Sequence, residues 1–200
     1  MAMTPETRDY RMFEMRAMPT TDSETGGEQY RVEGYAAKFN EETVLFEIEG
    51  VKYREVIRPG AFSGAKMQDV VMNYNHGGKP VARTKNGTLT LTTDLIGLHV
   101  VADLGGTEEG RRLYEEIQGG YIDKMSFAFT VRTSTYDKAT RLRSIEQIDR
   151  LFDVAAVDIP AYDCTEIAAR SWAKAEALRE QAAEAARRKL EIKLSTYGIN

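Results

Sequence analysis

The chain has 200 residues, of which 42% are hydrophobic and 29% are charged, so it suits one soluble domain with a real core. Its net charge of −4 argues against non-specific nucleic-acid binding as the main activity, and its one cysteine excludes an internal disulfide framework and fits a reducing cytoplasm. No apolar run approaches the roughly 18 residues of a membrane-spanning helix and the N-terminus lacks a signal-peptide pattern, so we expect a cytosolic protein with no membrane contact.

Short segments of β character dominate the first two thirds of the chain. Residues 1–10 are polar, and we expect them to be flexible. After them, alternating or apolar runs bounded by turn residues predict strands, with a bulge at Gly34 in the second. These strands are predicted at 10–18, 30–39, 51–58, 66–76 and 77–84, followed by a hairpin that opens at 86–87 and returns near 94–97.

One amphipathic helix interrupts the strands. Thr107 precedes two glutamates as an N-cap, and Gly119-Gly120 ends the pattern. Strand alternation returns at 121–137, and 141–160 is long enough for two strands or one bent strand. Many short strands with few helices predict a mainly β fold with peripheral helices (α+β). A closed or nearly closed barrel would hide its strand edges.

The last segment has a different composition. From Thr165 to about Leu194, alanine, glutamate, arginine, lysine and leucine dominate, which predicts a helix. It either docks on its own domain or forms a partner-binding or removable tail. We therefore divide the chain into a flexible N-terminus (1–10), a β-barrel domain (11–164) and a C-terminal helical tail (165–200).

Few residues are suited to general-base chemistry, because the chain has only two histidines. His76 lies where an apolar run ends, whereas His99 lies within a strand and is expected to be a surface or packed residue. Ser126 alternates with phenylalanines, so its side chain is expected to face away from the core and to emerge at one end of the barrel. A serine so placed becomes a nucleophile when a histidine takes its proton.

An acid is needed to orient such a histidine. Asp153 lies in an apolar run, where a carboxylate needs a partner. Spacing alone does not separate it from three other acids, Glu146, Asp149 and Asp158. Two histidines and one cysteine make a zinc site improbable, and no phosphate-binding loop is present, so we expect no metal and no cofactor.

Six motifs in order resemble the tailed-phage prohead proteases, the maturation proteases of phage capsids, which are distantly similar to the herpesvirus assembly protease. The resemblance covers about Tyr10 to Cys164. The motifs are EGYAAKFN, EVIRPGAF, NYNH, GTLTLTTDLIGLHVVADL, a helix ending in GG, and KMSFAF.

The resemblance implies a serine endopeptidase on a herpesvirus-protease-like β-barrel, with His76, Ser126 and Asp153 as a catalytic triad. Aspartate stands where the family more usually has glutamate, so Glu146 remains an alternative for the acid. The implied substrates are the scaffolding segment of the major capsid protein and the protease itself, inside the assembling prohead in the host cytoplasm, with self-association. A non-catalytic assembly protein that keeps the fold is the alternative, as is an esterase, although no G-x-S-x-G elbow is present.

Overall fold

A computed structural model describes residues 8–18, 30–48, 50–158, 185–189 and 191. Besides a short 3-10 helix at Thr84–Asn86, ten strands and one α-helix are found between Asp9 and Val157. They are β1 (Asp9–Ala17), β2 (Arg31–Lys38), β3 (Thr43–Ile48), β4 (Val51–Ile57), β5 (Val71–Tyr74), β6 (Gly77–Arg83), β7 (Leu89–Thr93), β8 (Gly97–Asp103), α1 (Glu108–Gln118), β9 (Lys124–Asp137) and β10 (Leu142–Val157).

The ten strands form one mixed sheet in the order β3-β4-β10-β9-β1-β2-β8-β7, with β5 and β6 branching from β10. The predicted mainly β class is therefore confirmed. Over the described part of the chain, however, the sheet is open, because β3 and β7 end it without pairing with each other. Phe39, just after β2, forms an isolated bridge with Ile57 at the end of β4, so the sheet curves without closing into the predicted barrel.

Most predicted elements are confirmed with small changes of boundary. Thr107 caps α1 by accepting a hydrogen bond from the backbone N–H of Gly110 at 2.9 Å, and the β7–β8 hairpin turns at 94–96. The bulge in β2 lies between Tyr35 and Ala37, not at Gly34. Gly34 is required for a different reason, since a Cβ there would lie 2.6 Å from the carbonyl oxygen of Glu14 on β1.

The two ends of the chain differ from the prediction or lie outside the described residues. Strand β1 begins at Asp9, so Asp9 and Tyr10 belong to the sheet and not to the flexible segment predicted for 1–10. Residues 1–7 lie outside the described residues. Of the predicted C-terminal helix, only 185–189 and 191 are described, and these are helical and exposed.

Strand β10 is the single long strand that positions the site. It pairs antiparallel with β9 along one edge and, along the other, parallel with β4 near its start and with β5 near its end. Several register shifts bend it, as expected for one long strand. No helix of the described residues is long and apolar enough to cross a membrane.

Candidate active site

His76 lies at the tip of the β5–β6 hairpin. The two residues between the strands, Asn75 and His76, both have positive φ angles, of 49° and 55°. Such a turn matches the right-handed twist of the flanking strands and normally contains glycine or asparagine. A histidine in the left-handed region costs about 1–2 kcal/mol. Strain of this kind is characteristic of functional positions.

Asp158 anchors this turn. Its carboxylate accepts hydrogen bonds from the hydroxyl of Tyr74 at 2.5 Å and from Nδ2 of Asn75 at 2.9 Å. The backbone N–H of Asn75 also donates to the carbonyl oxygen of Ala156 at 2.9 Å. The hairpin tip is thus tied to the end of β10, and Asp158 has a structural task there.

The His76 ring contacts Asp153 on β10. Nδ1 of His76 lies 2.5 Å from Oδ1 of Asp153, and both side chains are largely buried. A carboxylate in this place accepts a hydrogen bond from Nδ1–H, so it favours the tautomer in which Nδ1 carries the proton and Nε2 is the acceptor. Of the four acids considered from the sequence, Asp153 is the one that the structure brings to His76.

The other two acids lie along β10 with partners of their own. Oε1 of Glu146 accepts a hydrogen bond from the hydroxyl of Thr135 at 3.3 Å. Asp149 accepts one from Arg132 at 2.6 Å and one from Lys66 at 3.5 Å. These ion pairs lower the pKa of Asp149 below its usual value, Arg132 being the larger cause. The partners of both acids are surface side chains remote from the hairpin tip.

The ring of Tyr10 contacts the His76 imidazole on the side opposite Asp153. The two rings meet edge-on, with centroids 4.7 Å apart. Tyr10 pairs with Ala128 on β9, and Ala128 pairs with Asp153 on β10, so the three side chains lie in one row on the same face of the sheet. Because the imidazole touches both ends of this row, it lies over Ala128.

Ser126 belongs to the next row on that face. It stands two residues before Ala128 on β9 and pairs with Met12 on β1 and Ala155 on β10. Its side chain is fully buried, which corrects the expectation that it would emerge from the sheet. Strand β9 lies between β10 and β1 with both faces covered, so alternation with the phenylalanines does not expose Ser126.

The Ser126 and His76 side chains both have unused hydrogen-bonding atoms. Oγ of Ser126 and Nε2 of His76 are buried, and neither forms a hydrogen bond with the part of the chain that the structure describes. The structure therefore brings the two residues to one face of the sheet, without a hydrogen bond between their side chains. In free enzymes catalytic hydrogen bonds are often long and tighten only when substrate binds.

Sequence reasoning missed two residues of this face, Tyr10 and Asn73. Tyr10 falls in the segment predicted to be flexible. Asn73 pairs with Ala155, so it extends the Ser126 row onto β5, and it is buried with no hydrogen-bond partner for Oδ1 among the described residues. The motif NYNH contains Asn73, but nothing in its spacing shows that β5 would pair with β10.

A buried ionic cluster lies on the opposite face of β1. Nε of Arg11 donates to Oε1 of Glu55 at 2.6 Å, and Arg143 donates to the other oxygen of Glu55 at 3.0 Å. Asp9 lies 3.8 Å and 3.6 Å from the same two arginines. Burial raises the pKa of Asp9 above its usual value, although Arg11 and Arg143 oppose the shift. The cluster ties β1, and with it Tyr10, to β4 and β10.

His99 lies apart from this site, as expected from the sequence. Its Nε2 is 3.5 Å from Oε2 of Glu33, and its ring contacts Tyr35 on the neighbouring strand. Within the described ranges no group of three or more histidine, cysteine, aspartate or glutamate residues could hold a metal ion.

Comparison with known proteins identifies the family. The family model described as caudovirus prohead serine protease matches residues 16–180. Among solved structures, the capsid assembly protease gp21 of bacteriophage T4 is similar, at 11% identity and a TM-score of 0.48, over 78% of this chain and all of that one. The search of curated proteins gives no match. The chain belongs to the caudovirus prohead serine proteases, the proteases of phage capsid maturation.

Proposed function

We propose that this chain is a serine endopeptidase in which His76 is the general base, Ser126 the nucleophile and Asp153 the residue that orients the imidazole. The observation that carries the proposal is the contact between Nδ1 of His76 and Asp153, which leaves a buried Nε2 with no hydrogen-bond partner among the described residues, on the face that also holds Ser126. Membership of a serine-protease family supports it.

The chemistry is acyl transfer to a serine hydroxyl. Nε2 of His76 takes the Ser126 proton while Oγ attacks the peptide carbonyl carbon, and the imidazolium then gives that proton to the leaving amine. Water hydrolyses the acyl-enzyme with the same base. Asp153 stabilises the imidazolium and keeps Nδ1 protonated throughout. Its 2.5 Å contact with Nδ1 supports this role.

The substrates we propose are the scaffolding segment of the major capsid protein and the protease itself, within the prohead assembling in the host. Enclosure with many copies of the substrate makes the local concentration high, so a slow, weakly selective enzyme suffices there. We also propose that the protease associates with itself, that residues 11–164 are the protease domain, and that the tail (165–200) is removed by self-cleavage.

The test is co-expression of the chain with the major capsid protein of its phage, followed by mass spectrometry of the products. Wild type is expected to shorten the capsid protein and itself. Ser126→Ala and His76→Ala are expected to lower the rate by several orders of magnitude. Ser63→Ala, a change in an exposed loop serine, is the matched control and should process normally.

A fluorophosphonate probe separates catalysis from a purely architectural role. Wild type and Ser63→Ala should carry the label on Ser126, and His76→Ala should label far more slowly, because the hydroxyl then lacks its base. Normal capsid processing by Ser126→Ala would refute the assignment. Assembly of normal proheads with no cleavage and no label would instead show a non-catalytic assembly protein.

A further inference from the structure

Asn73 on β5 is a buried asparagine whose side-chain oxygen has no hydrogen-bond donor among the described residues. Only 7% of the surface of Asn73 is exposed, and its Oδ1 atom is buried. A buried acceptor without a donor costs stability, so nearly all buried polar groups in folded proteins are paired. A functional role is one reason for an exception of this kind.

Asn73 lies in the same row of the sheet as the proposed nucleophile. It pairs with Ala155 on β10, and Ala155 pairs with Ser126 on β9, so the three side chains project from one face. Neighbouring strands are about 4.8 Å apart, which places the Cα atoms of Asn73 and Ser126 roughly 10 Å apart. Within this row, only the methyl group of Ala155 projects between them.

The β5–β6 hairpin supplies both Asn73 and the proposed general base. The imidazole of His76 lies over Ala128 in the neighbouring row, between Tyr10 and Asp153. The space over Ala155 is bordered instead by Oγ of Ser126 and by the amide of Asn73. Two polar side chains therefore border one small residue, on the face over which the imidazole also lies.

A polypeptide substrate has the length and the donors to bridge this row. An extended chain advances about 3.3 Å per residue, and a hydrogen bond from a peptide N–H to Oδ1 adds about 2.9 Å. One or two residues of substrate therefore reach from a carbonyl carbon at Oγ of Ser126 to the amide of Asn73. Any opening that admits the carbonyl to the buried serine also admits this neighbouring peptide group, because both contacts lie in one row.

We propose that Asn73 binds the main chain of the polypeptide substrate, with Oδ1 accepting a hydrogen bond from a peptide N–H within two residues of the scissile bond. A contact of this kind suits a weakly selective protease, because every residue except proline offers the same N–H. The inference deepens the proposed protease function and rests on it for the position of the scissile bond.

The first experiment is a chemical double-mutant cycle. An internally quenched peptide that the wild-type protein cleaves is made in versions in which one non-scissile peptide bond at a time is replaced by an ester, which has no N–H. At one position within two residues of the cleaved bond, the ester should lower kcat/KM of wild type by about three- to tenfold. Asn73→Leu keeps a similar shape without the amide, so it should cleave the all-amide peptide more slowly by the same factor. The ester at that position should then cause Asn73→Leu no further loss.

Thr130→Val is the matched control. It also removes a buried side-chain oxygen that has no hydrogen-bond partner among the described residues. Thr130 lies on β9 beyond Ala128, however, and so outside the row of Ser126 and Asn73. Thr130→Val should cleave the all-amide peptide at nearly the wild-type rate and keep the full effect of the ester.

A second experiment separates substrate binding from a structural role. An alkyl fluorophosphonate has no peptide N–H, so it should label Ser126 in Asn73→Leu at the wild-type rate. The melting temperature of Asn73→Leu should equal or exceed that of wild type, because the variant no longer buries an acceptor without a donor.

The outcomes distinguish the contact from the enzyme. Cleavage that depends on Ser126, with no ester effect that Asn73→Leu removes, would overturn the contact and leave the protease intact. Equal slowing of labelling and cleavage in Asn73→Leu would also overturn it, since Asn73 would then shape the site or contact the oxyanion. If wild type cleaves no peptide, the protease function fails and the contact fails with it, whether or not Ser126 is labelled.

Discussion

Nδ1 of His76 lies 2.5 Å from Oδ1 of Asp153, although 77 positions of sequence separate the two residues. The parallel pairing of β5 with β10 allows this contact, because it places Val71 beside Asp153. The tip of the β5–β6 hairpin, which carries His76, then lies over the face of the sheet that holds the Asp153 side chain. Asp158, five residues further, ties that tip to β10. The geometry of the proposed base therefore depends on a pairing between strands that are distant in sequence.

Asp153→Asn is expected to lower kcat by about 10³- to 10⁴-fold with little change in KM. An asparagine amide donates to Nδ1, so Nε2 must carry the proton and cannot accept one from Ser126. The measurement is steady-state cleavage of an internally quenched peptide that the wild-type protein cleaves. Asp149→Asn, on the same strand but paired with Arg132, is the control and should stay near wild type. Equal losses in the two variants would contradict the role of Asp153.

His76→Gly is expected to be more stable than His76→Ala by about 1 kcal/mol. Both variants lose the imidazole and its contact with Asp153, so their difference isolates the backbone strain at φ 55°. Urea denaturation of both proteins measures it. At Thr90, an exposed residue of β7 without a positive φ, the glycine variant should instead be the less stable of the pair. The same sign at both positions would show that position 76 is not strained.

Local signals made some of this structure predictable. Helix α1 could be predicted because Thr107, the first-turn glutamates and Gly119 are adjacent in sequence to the residues they affect. The β7–β8 hairpin was similarly local, with Asp94 accepting from the backbone N–H groups of Ile96 and Gly97. Such interactions need no knowledge of the rest of the fold.

Non-local packing explains what could not be predicted. Strand β3 was not anticipated, and the open sheet replaces a barrel because strand order depends on contacts far apart in sequence. Residues 125–130 of β9 are buried on both faces of the sheet, so Ser126 is buried although it alternates with the phenylalanines, and alternation alone does not reveal this. The choice among Glu146, Asp149, Asp153 and Asp158 likewise required the pairing of β5 with β10.

Tyr10→Ala is expected to lower kcat about three- to tenfold at nearly constant KM, because the imidazole loses the edge contact that holds it over Ala128. Tyr10→Phe keeps the ring and should restore most of the rate. The measurements are kcat and KM from steady-state kinetics and the melting temperatures of both variants, each compared with wild type. A loss confined to KM, or one that phenylalanine does not rescue, would mean that the ring does not position His76.

Asp9 provides a pH-dependent prediction about the buried ionic cluster. Because burial raises its pKa above the usual 3.8, the folded state holds the proton of Asp9 more tightly than the unfolded state does. The stability that Asp9 contributes is therefore fully present below the unfolded pKa and is lost as the pH rises through the folded pKa. Asp9→Asn cannot ionise, so its stability relative to wild type should increase as the pH rises from about 4 towards neutrality.

Urea denaturation of wild type and Asp9→Asn across this pH range measures the effect, and Asp69→Asn, measured from about pH 2 to pH 5 because its pKa lies below the usual 3.8, provides a control of opposite sign. Arg83 lowers the pKa of Asp69 through a hydrogen bond, so that carboxylate stabilises the fold once it is ionised and its asparagine variant should lose stability relative to wild type as the pH rises. A difference between wild type and Asp9→Asn that does not change with pH would show that Asp9 has a normal pKa. A difference that changes in the direction seen for Asp69 would show that Arg11 and Arg143 outweigh burial and that the ionised cluster stabilises β1.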